Sequence, residues 1–134
     1  MAKSETTILI RVDADIVTAR QEGRILAGQI GFSGSDQVLI ATAISEAARN
    51  ILQYARSGEI TLDYIKSGSK EGIQIIARDQ GPGIKDIGRV MEDGYSSSGG
   101  LGLGLPGIKR LMSEMDIQST PGKGTTVTIK KWKL

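Results

Sequence analysis

The chain has 134 residues, which is long enough for one domain with a single core and short for two. Its composition, 39% hydrophobic and 24% charged with 17 basic and 15 acidic residues, is typical of a folded soluble protein and excludes a disordered one. Because the sequence contains neither histidine nor cysteine, disulfides, the usual transition-metal sites and nucleophilic systems built on those residues are also excluded.

The same composition limits location and partners. No run approaches the roughly 18 apolar residues of a membrane span, and the N-terminus MAKSETT has no apolar signal-peptide core, so we expect a cytoplasmic protein with no membrane partner. Aromatic residues make up 4% and do not alternate with basic ones, so a nucleic-acid partner is not expected. The basic tail KKWKL is interpreted as one exposed strand end.

The first part of the chain predicts a strand and two helices. Alternation over residues 5–12 predicts a strand with Ile8, Ile10 and Val12 on one face. Asp13 or Asp15 then caps a helix. Its apolar positions recur at helical spacing: Ile16, Ala19, Gly23, Leu26 and Ile30. GFSGS breaks the chain, and a second helix is predicted from about Asp36 to Ala55.

The remainder predicts two hairpins on either side of a glycine-rich segment. Residues 59–66 and 72–79 form the first hairpin, and residues 116–120 and 125–134 form the second. Between them we predict a short helix at 86–92 and a helix from near Leu103 to Met115. Since consecutive strands pair and strict β-α-β alternation is missing, the order predicts an α+β fold. We expect two layers, a mixed and mostly antiparallel sheet with helices on one face.

The glycine-rich segment contains GLGLPG at 102–107, which satisfies G-x-G-x-x-G. A dinucleotide fold would need a buried strand before it and an acidic residue about 20 positions later. Here the preceding stretch is EDGYSSSGG, the later one is STPGKG, and no Walker A sequence occurs. Nine of the 18 glycines lie between Gly81 and Gly107. Glycine amides before a helix can bind phosphate, but the segment alone also fits a linker.

Two further motifs are ambiguous when taken singly. DQGPGI at 79–84 follows a strand, so Asp79 could accept a hydrogen bond from a flat ligand that approaches Gly81 and Gly83, or the stretch could be an ordinary turn. On the second helix, Glu46 and Asn50 stand one turn apart, on the side away from an apolar stripe. This stripe consists of Ile40, Ile44, Ala47, Ala48, Ile51 and Ala55. They could serve as a general base and a Mg²⁺ ligand, or as a solvated polar face.

The order of these motifs carries more information than each motif. Four motifs follow one another along the chain: Glu46-x-x-x-Asn50, Asp79-x-Gly81-x-Gly83, Gly100-x-Gly102-x-Gly104 and Gly124-Thr125. In this order the sequence resembles the GHKL superfamily of ATP-binding domains. That superfamily includes gyrase, Hsp90, histidine kinases and MutL. The stretches TAISEAARNILQYA, DQGPGIKDIGRVMEDGYSSSGGLGLGLPGIKRLM and GKGTTVTIKKW further resemble RsbT-type switch kinases of the bacterial stressosome.

The resemblance implies a role for each motif residue. Glu46 is expected to take the proton from the attacking hydroxyl, and Asn50 to coordinate Mg²⁺ that bridges the phosphates. Asp79 is expected to bind the adenine amine. The other expected ATP-binding residues are Gly81, Gly83 and Ile84 in the base pocket, Gly100, Leu101, Gly102, Leu103 and Gly104 around the phosphates, and Thr125 beside the adenine. Residues 85–101 correspond to the ATP lid.

The implied function is that of an ATP- and Mg²⁺-dependent serine/threonine protein kinase of one domain, residues 1–134. Its expected substrates are STAS-domain proteins of the stressosome. On release, it is expected to bind and activate a PP2C-type phosphatase. The alternatives are an ATP-gated binding module without catalysis, an ATPase that activates water, and a detached ATP domain like that of a histidine kinase.

Overall fold

The computed structural model describes residues 5–83 and 105–134. In chain order its elements are β1 Thr6–Ile10, α1 Asp13–Ile30, α2 Gly34–Ala55, β2 Gly58–Ser67, β3 Lys70–Asp79, α3 Leu105–Leu111, β4 Glu114–Thr120 and β5 Gly124–Trp132. The predicted helix at 86–92 lies outside the described residues. No helix in the described part of the chain is long and apolar enough to cross a membrane.

The five strands form one sheet in the order β1-β2-β3-β5-β4, and all four of these pairings are antiparallel. The two predicted hairpins are therefore confirmed as β2–β3 and β4–β5. The helices cover one face of the sheet, so the predicted α+β architecture of two layers is also confirmed. The antiparallel contact of β3 with β5 joins the two hairpins.

One apolar core lies between the sheet and the helices. The sheet contributes alternate residues, among them the fully buried Ile60, Leu62, Ile73, Ile75 and Ile129. All five predicted core positions of α1 are buried, as are the predicted stripe residues of α2 apart from the half-buried Ala55. The two helices pack closely because α1 has Gly23 where a Cβ would overlap the side chain of Ile44.

The start of α1 differs from the prediction. The strand ends at Ile10, and Val12, predicted on the buried face, is 58% exposed because it is the N-cap of the helix. Neither Asp13 nor Asp15 is the cap itself. Instead, Asp15 accepts the backbone N–H groups of Arg11 and Val12 at 2.9 and 3.0 Å, which satisfies donors that the first helical turn leaves free. These two bonds lower the pKa of Asp15.

The prediction for the third helix is wrong at its C-terminal end. The helix was expected to reach Met115, but it ends at Leu111 and Met115 lies in β4. Sheet pairing competes with the helix here: the Ser113 N–H donates to Lys130 O at 2.9 Å, and Met115 stands opposite Ile129. Tertiary pairing therefore outweighs the helical periodicity of the sequence.

The basic tail is less exposed than a free strand end. Lys131 and Lys133 are half-buried, and each donates to the last carbonyl of a helix, Leu111 O at 2.9 Å and Ile30 O at 3.1 Å. Cations are favourable at helix C-termini, where carbonyl groups lack partners within the helix. The tail thus connects the sheet to α1 and α3.

Candidate nucleotide-binding site

One row of residues crosses all five strands near one end of the sheet. Strand pairing aligns Ile10 with Gly58, Gly58 with Asp79, Asp79 with Thr125, and Thr125 with Ser119. The row faces the helices, because the next row on the same face forms part of the core: Ile8, Ile60, Ala77, Val127 and the partly buried Ile117. The polar side chains of this row, Asp79, Thr125 and Ser119, therefore lie at the end of the apolar, helix-facing side of the sheet, which we call the floor.

Asp79, the last residue of β3, fixes the loop that follows it. Its Oδ1 atom accepts the N–H of Gly81 at 2.9 Å, and the side chain is half-buried. Gly81 lies against the end of α2, where an added Cβ would be 2.6 Å from the Cβ of Ala55. Only glycine allows the loop to approach the helix this closely.

The same loop rests on the turn between β4 and β5. Pro82 O accepts the N–H of Gly122 at 2.8 Å. Gly83 has a φ of +77°, and an added Cβ would lie 3.0 Å from the Cα of Pro121. The predicted glycines of DQGPGI are therefore required by backbone conformation and by close contact, which holds Asp79 in place beside β5.

Thr125, at the start of β5, is the direct neighbour of Asp79 and contacts a second hydroxyl. Thr125 Oγ1 is 2.8 Å from Ser119 Oγ, and Ser119 also donates to Gly124 O at 3.1 Å. Gly124 has a φ of +119°, and an added Cβ would lie 2.8 Å from the Cα of Gln80. The late Gly-Thr pair is thus packed directly against the end of β3.

Two residues of this row, Gly58 and Ser119, were missed by the sequence analysis. A Cβ at Gly58 would lie 2.8 Å from Ile51 Cγ2, so glycine lets α2 approach the floor. Both could have been found by counting outward from the hairpin turns. Pairing of Thr120 with Gly124, for example, places Ser119 opposite Thr125.

Glu46 and Asn50 lie on one flank of α2. Both are half-buried, and the Glu46 side chain is 18% exposed. Ala43, one turn before Glu46, is fully buried, which shows that this flank is covered. Because α1 packs on α2 at Ile44, and Glu46 follows two residues or about 200° further round the helix, Glu46 and Asn50 lie on the flank of α2 away from α1, and α3 also packs on α2.

The Asp79 loop, Asn50 and Glu46 follow one another along α2, counted from its C-terminal end. At about 1.5 Å rise per residue, Asn50 stands roughly 7 Å and Glu46 roughly 14 Å from Ala55, the residue in contact with the Asp79 loop. Arg49, 53% exposed, forms an ion pair with Glu46 on its outer side.

The other residues predicted to bind ATP lie outside the described residues. These are Ile84, Gly100, Leu101, Gly102, Leu103 and Gly104, together with the lid at 85–101. Helix α3 begins at Leu105, directly after the glycine-rich segment, and Pro106 is accommodated in its first turn as predicted.

The donor set fits Mg²⁺ held jointly with phosphates. The amide oxygen of Asn50 is a hard neutral ligand, and Mg²⁺ commonly takes one or two protein ligands while phosphates and waters supply the others. Within 5–83 and 105–134, no group of three or more acidic residues could hold a metal ion by itself. A metal on this flank would therefore depend on the nucleotide.

Comparison with known proteins identifies the family. Residues 35–134 match the family described as histidine kinase-, DNA gyrase B-, and HSP90-like ATPase. The chain is 52% identical over 128 residues to the serine/threonine-protein kinase RsbT of Bacillus subtilis (strain 168), covering 96% of each chain. This chain belongs to the RsbT-type kinases. It is thus a serine/threonine protein kinase of an ATP-using family, and the family resemblance found in the sequence is confirmed.

Other relatives of this RsbT-type kinase are regulators and sensors. It is 35% identical over 99 residues to an anti-sigma F factor of Thermoanaerobacter sp. (strain X514), covering 69% of this chain and 68% of that one. Its fold also matches the mycobacterial sensor histidine kinase MprB, with a TM-score of 0.57, 15% identity, and coverage of 98% and 97% of the two chains. That likeness confirms the two-layer fold alone.

Proposed function

We propose that this kinase transfers the γ-phosphate of ATP, with Mg²⁺, to a serine or threonine of a STAS-domain protein in a cytoplasmic stressosome. Phosphorylation weakens the complex, and the released kinase then binds and activates a PP2C-type phosphatase. The observation that carries the catalytic part is the order along α2: the Asp79 loop at its end, then Asn50, then Glu46.

Asp79 and Thr125 form the base end of the proposed site. Asp79 accepts a hydrogen bond from the adenine amine, and Thr125 lies beside it in the same row. Gly81 and Gly83 belong to the base pocket because the close contacts that they permit with Ala55 and Pro121 fix the loop beside Asp79, and Ile84 completes the pocket. The half-buried setting of Asp79 supports this role, since a hydrogen bond is stronger there than in water.

Asn50 and the glycine-rich segment form the phosphate end. Asn50 would hold Mg²⁺, which would neutralise charge on the phosphates. Backbone amides of Gly100, Gly102 and Gly104, with Leu101 and Leu103 between them, surround the β- and γ-phosphates. Residues 85–101 act as a lid that closes over the nucleotide.

Glu46 acts as the general base. The hydroxyl oxygen of the substrate bonds to the γ-phosphorus while the bond from that phosphorus to the β,γ-bridging oxygen breaks, and ADP leaves. The hydroxyl proton passes to the Glu46 carboxylate. Arg49 holds this carboxylate from its exposed side, which restricts the orientation of the base.

The rival candidates make different chemical demands. An ATP-gated module or an anti-sigma-like binder needs the adenine-binding and phosphate-binding ends of the site but no general base at Glu46. The half-buried position of Glu46, one turn from Asn50, favours catalysis. A detached histidine-kinase domain would need histidine on another protein, because this chain has none.

Label transfer tests the proposal. The kinase is incubated with γ-labelled ATP, Mg²⁺ and each purified STAS protein of the same organism. We expect acid-stable label on serine or threonine, and its loss when that acceptor is replaced by alanine. Acid-labile label would indicate phosphohistidine, and inorganic phosphate alone would indicate an ATPase; either result contradicts the proposal. Phosphatase activity, measured with and without the unphosphorylated STAS protein, tests the partner switch.

A further inference from the structure

Ser119 lies next to the base end of the site, on the edge strand β4. It is half-buried, shares the helix-facing row with Asp79 and Thr125, and contacts Thr125 Oγ1 at 2.8 Å. Residues directly opposite each other in antiparallel strands have Cα atoms about 4.5–5.5 Å apart, so these side chains line one short edge of the floor.

The hydrogen bonds of Ser119 determine which oxygen donates. A serine hydroxyl has one proton, and Ser119 donates it to the carbonyl oxygen of Gly124 at 3.1 Å. Both contacts of Ser119 are hydrogen bonds at the same time only when Thr125 is the donor and Ser119 the acceptor between the two hydroxyls. With its proton directed to Ser119, Thr125 presents only lone pairs to a ligand.

Asp79, like Thr125 in this orientation, offers only hydrogen-bond acceptors to a ligand. Its carboxylate is an acceptor, and one of its oxygens already accepts the N–H of Gly81. Two neighbouring acceptors match a ligand group that donates, such as an exocyclic amine. A carbonyl in that place would face two acceptors and lose its own hydrogen bond, which is the strongest form of discrimination between similar ligands.

We propose that Ser119 is a specificity-determining residue that keeps the Thr125 hydroxyl in its acceptor orientation, so that the site prefers a purine with an amine at position 6 over one with a carbonyl. This inference rests on the proposed nucleotide site at Asp79 and Thr125. Ser119 acts through Thr125 and contacts no reacting atom. Its effect is therefore on the ratio of affinities for two nucleotides.

Calorimetry with ATP and inosine triphosphate tests this directly. Inosine triphosphate carries a carbonyl at position 6 and a proton on N1, and it lacks the 2-amino group of GTP, so it reverses the hydrogen-bonding pattern at this edge of the base without adding a group at position 2. The variants are Ser119→Ala, which removes the acceptor, and Ser119→Thr, which restores a hydroxyl. Gln118→Ala is the matched control, because Gln118 adjoins Ser119 but lies on the opposite face of β4.

We expect the wild type to prefer ATP and Ser119→Ala to lower that preference about five- to tenfold, the equivalent of one neutral hydrogen bond. The freed Thr125 hydroxyl can then donate to the carbonyl. Ser119→Thr and Gln118→Ala should keep the wild-type ratio. If Ser119→Ala does not fold, Ser119→Cys, whose sulfur is only a weak acceptor for the Thr125 hydroxyl, should lower the preference in the same direction.

The outcomes separate this inference from the proposed function. ATP preference retained in folded Ser119→Ala or Ser119→Cys overturns the role of Ser119 and leaves the assignment of Asp79 to the adenine amine standing. Equal affinity of the wild type for both nucleotides overturns that assignment and this inference together. Equal weakening of both nucleotides by Ser119→Ala indicates a structural role alone and also overturns the inference.

Discussion

At the scale of single residues, Asp79 links the proposed nucleotide site to the loop after β3. One carboxylate oxygen accepts the Gly81 N–H, and the same side chain is proposed to accept the adenine amine. Its neighbours across the sheet are Gly58, against which Ile51 of α2 packs, and Thr125, which supplies a hydroxyl. A small change at this position should therefore affect binding more than folding.

We predict that Asp79→Asn weakens ATP binding by about tenfold or more, since a hydrogen bond to a charged group is replaced by a contact in which the amide NH₂ group can face the adenine amine. Titration calorimetry with ATP and Mg²⁺ measures the change. Asp116→Asn is the control, because Asp116 is exposed on the opposite face of the sheet. Unchanged affinity in Asp79→Asn would contradict the base assignment.

At the scale of elements, the site depends on how closely α2 approaches the loop after β3. Gly81 contacts Ala55 at the helix end, and Gly58 lies under Ile51 one turn earlier. Both contacts involve backbone or short side chains, so little can move to admit extra atoms. The position of α2 in turn sets where Asn50 and Glu46 stand relative to Asp79.

We predict that Gly81→Ala lowers the melting temperature and the affinity for ATP, because its Cβ would come within 2.6 Å of the Cβ of Ala55; overpacking of this kind costs about 1–3 kcal/mol. Adding Ala55→Gly should recover part of the ATP affinity by removing the clash. Gly34→Ala is the control, since nothing lies within 4 Å of a Cβ there. A fully stable Gly81→Ala variant with normal binding would refute the close-contact account.

The start of α1 makes stability depend on acid pH. The backbone N–H groups of Arg11 and Val12 lower the pKa of Asp15, so its stabilising effect is fully present above the ordinary carboxyl pKa and is lost as pH falls through the lowered pKa. We predict that Asp15→Asn removes this part of the acid dependence. Denaturant midpoints between about pH 6 and about pH 2 test it, with Asp13→Asn, in the same first turn, as control. Parallel curves for wild type and Asp15→Asn would count against this cap.

At the scale of the whole molecule, the sequence predicted the elements better than their arrangement. Alternating apolar residues and turn residues predicted both hairpins, and helical spacing of apolar residues predicted the buried faces of α1 and α2, because these signals are local in sequence. The end of α3 was missed since pairing with β5 decides it. The neighbourhood of Ser119, Thr125 and Asp79 depends on strands distant in sequence. The family order of motifs indicated Glu46, Asn50 and Asp79, whose chemical roles stay predictions.

The central claim is that this RsbT-type kinase transfers phosphate to a partner with Glu46 as the base. The most direct measurement compares initial rates of label transfer from γ-labelled ATP to the proposed STAS-domain substrate by wild type and Glu46→Gln, after calorimetry has compared their ATP affinities. We predict similar affinities and a rate lower by about 10²–10⁴-fold, the usual contribution of a general base. Glu22→Gln, on the exposed side of α1, should behave as wild type. Transfer at the wild-type rate by Glu46→Gln would contradict the claim.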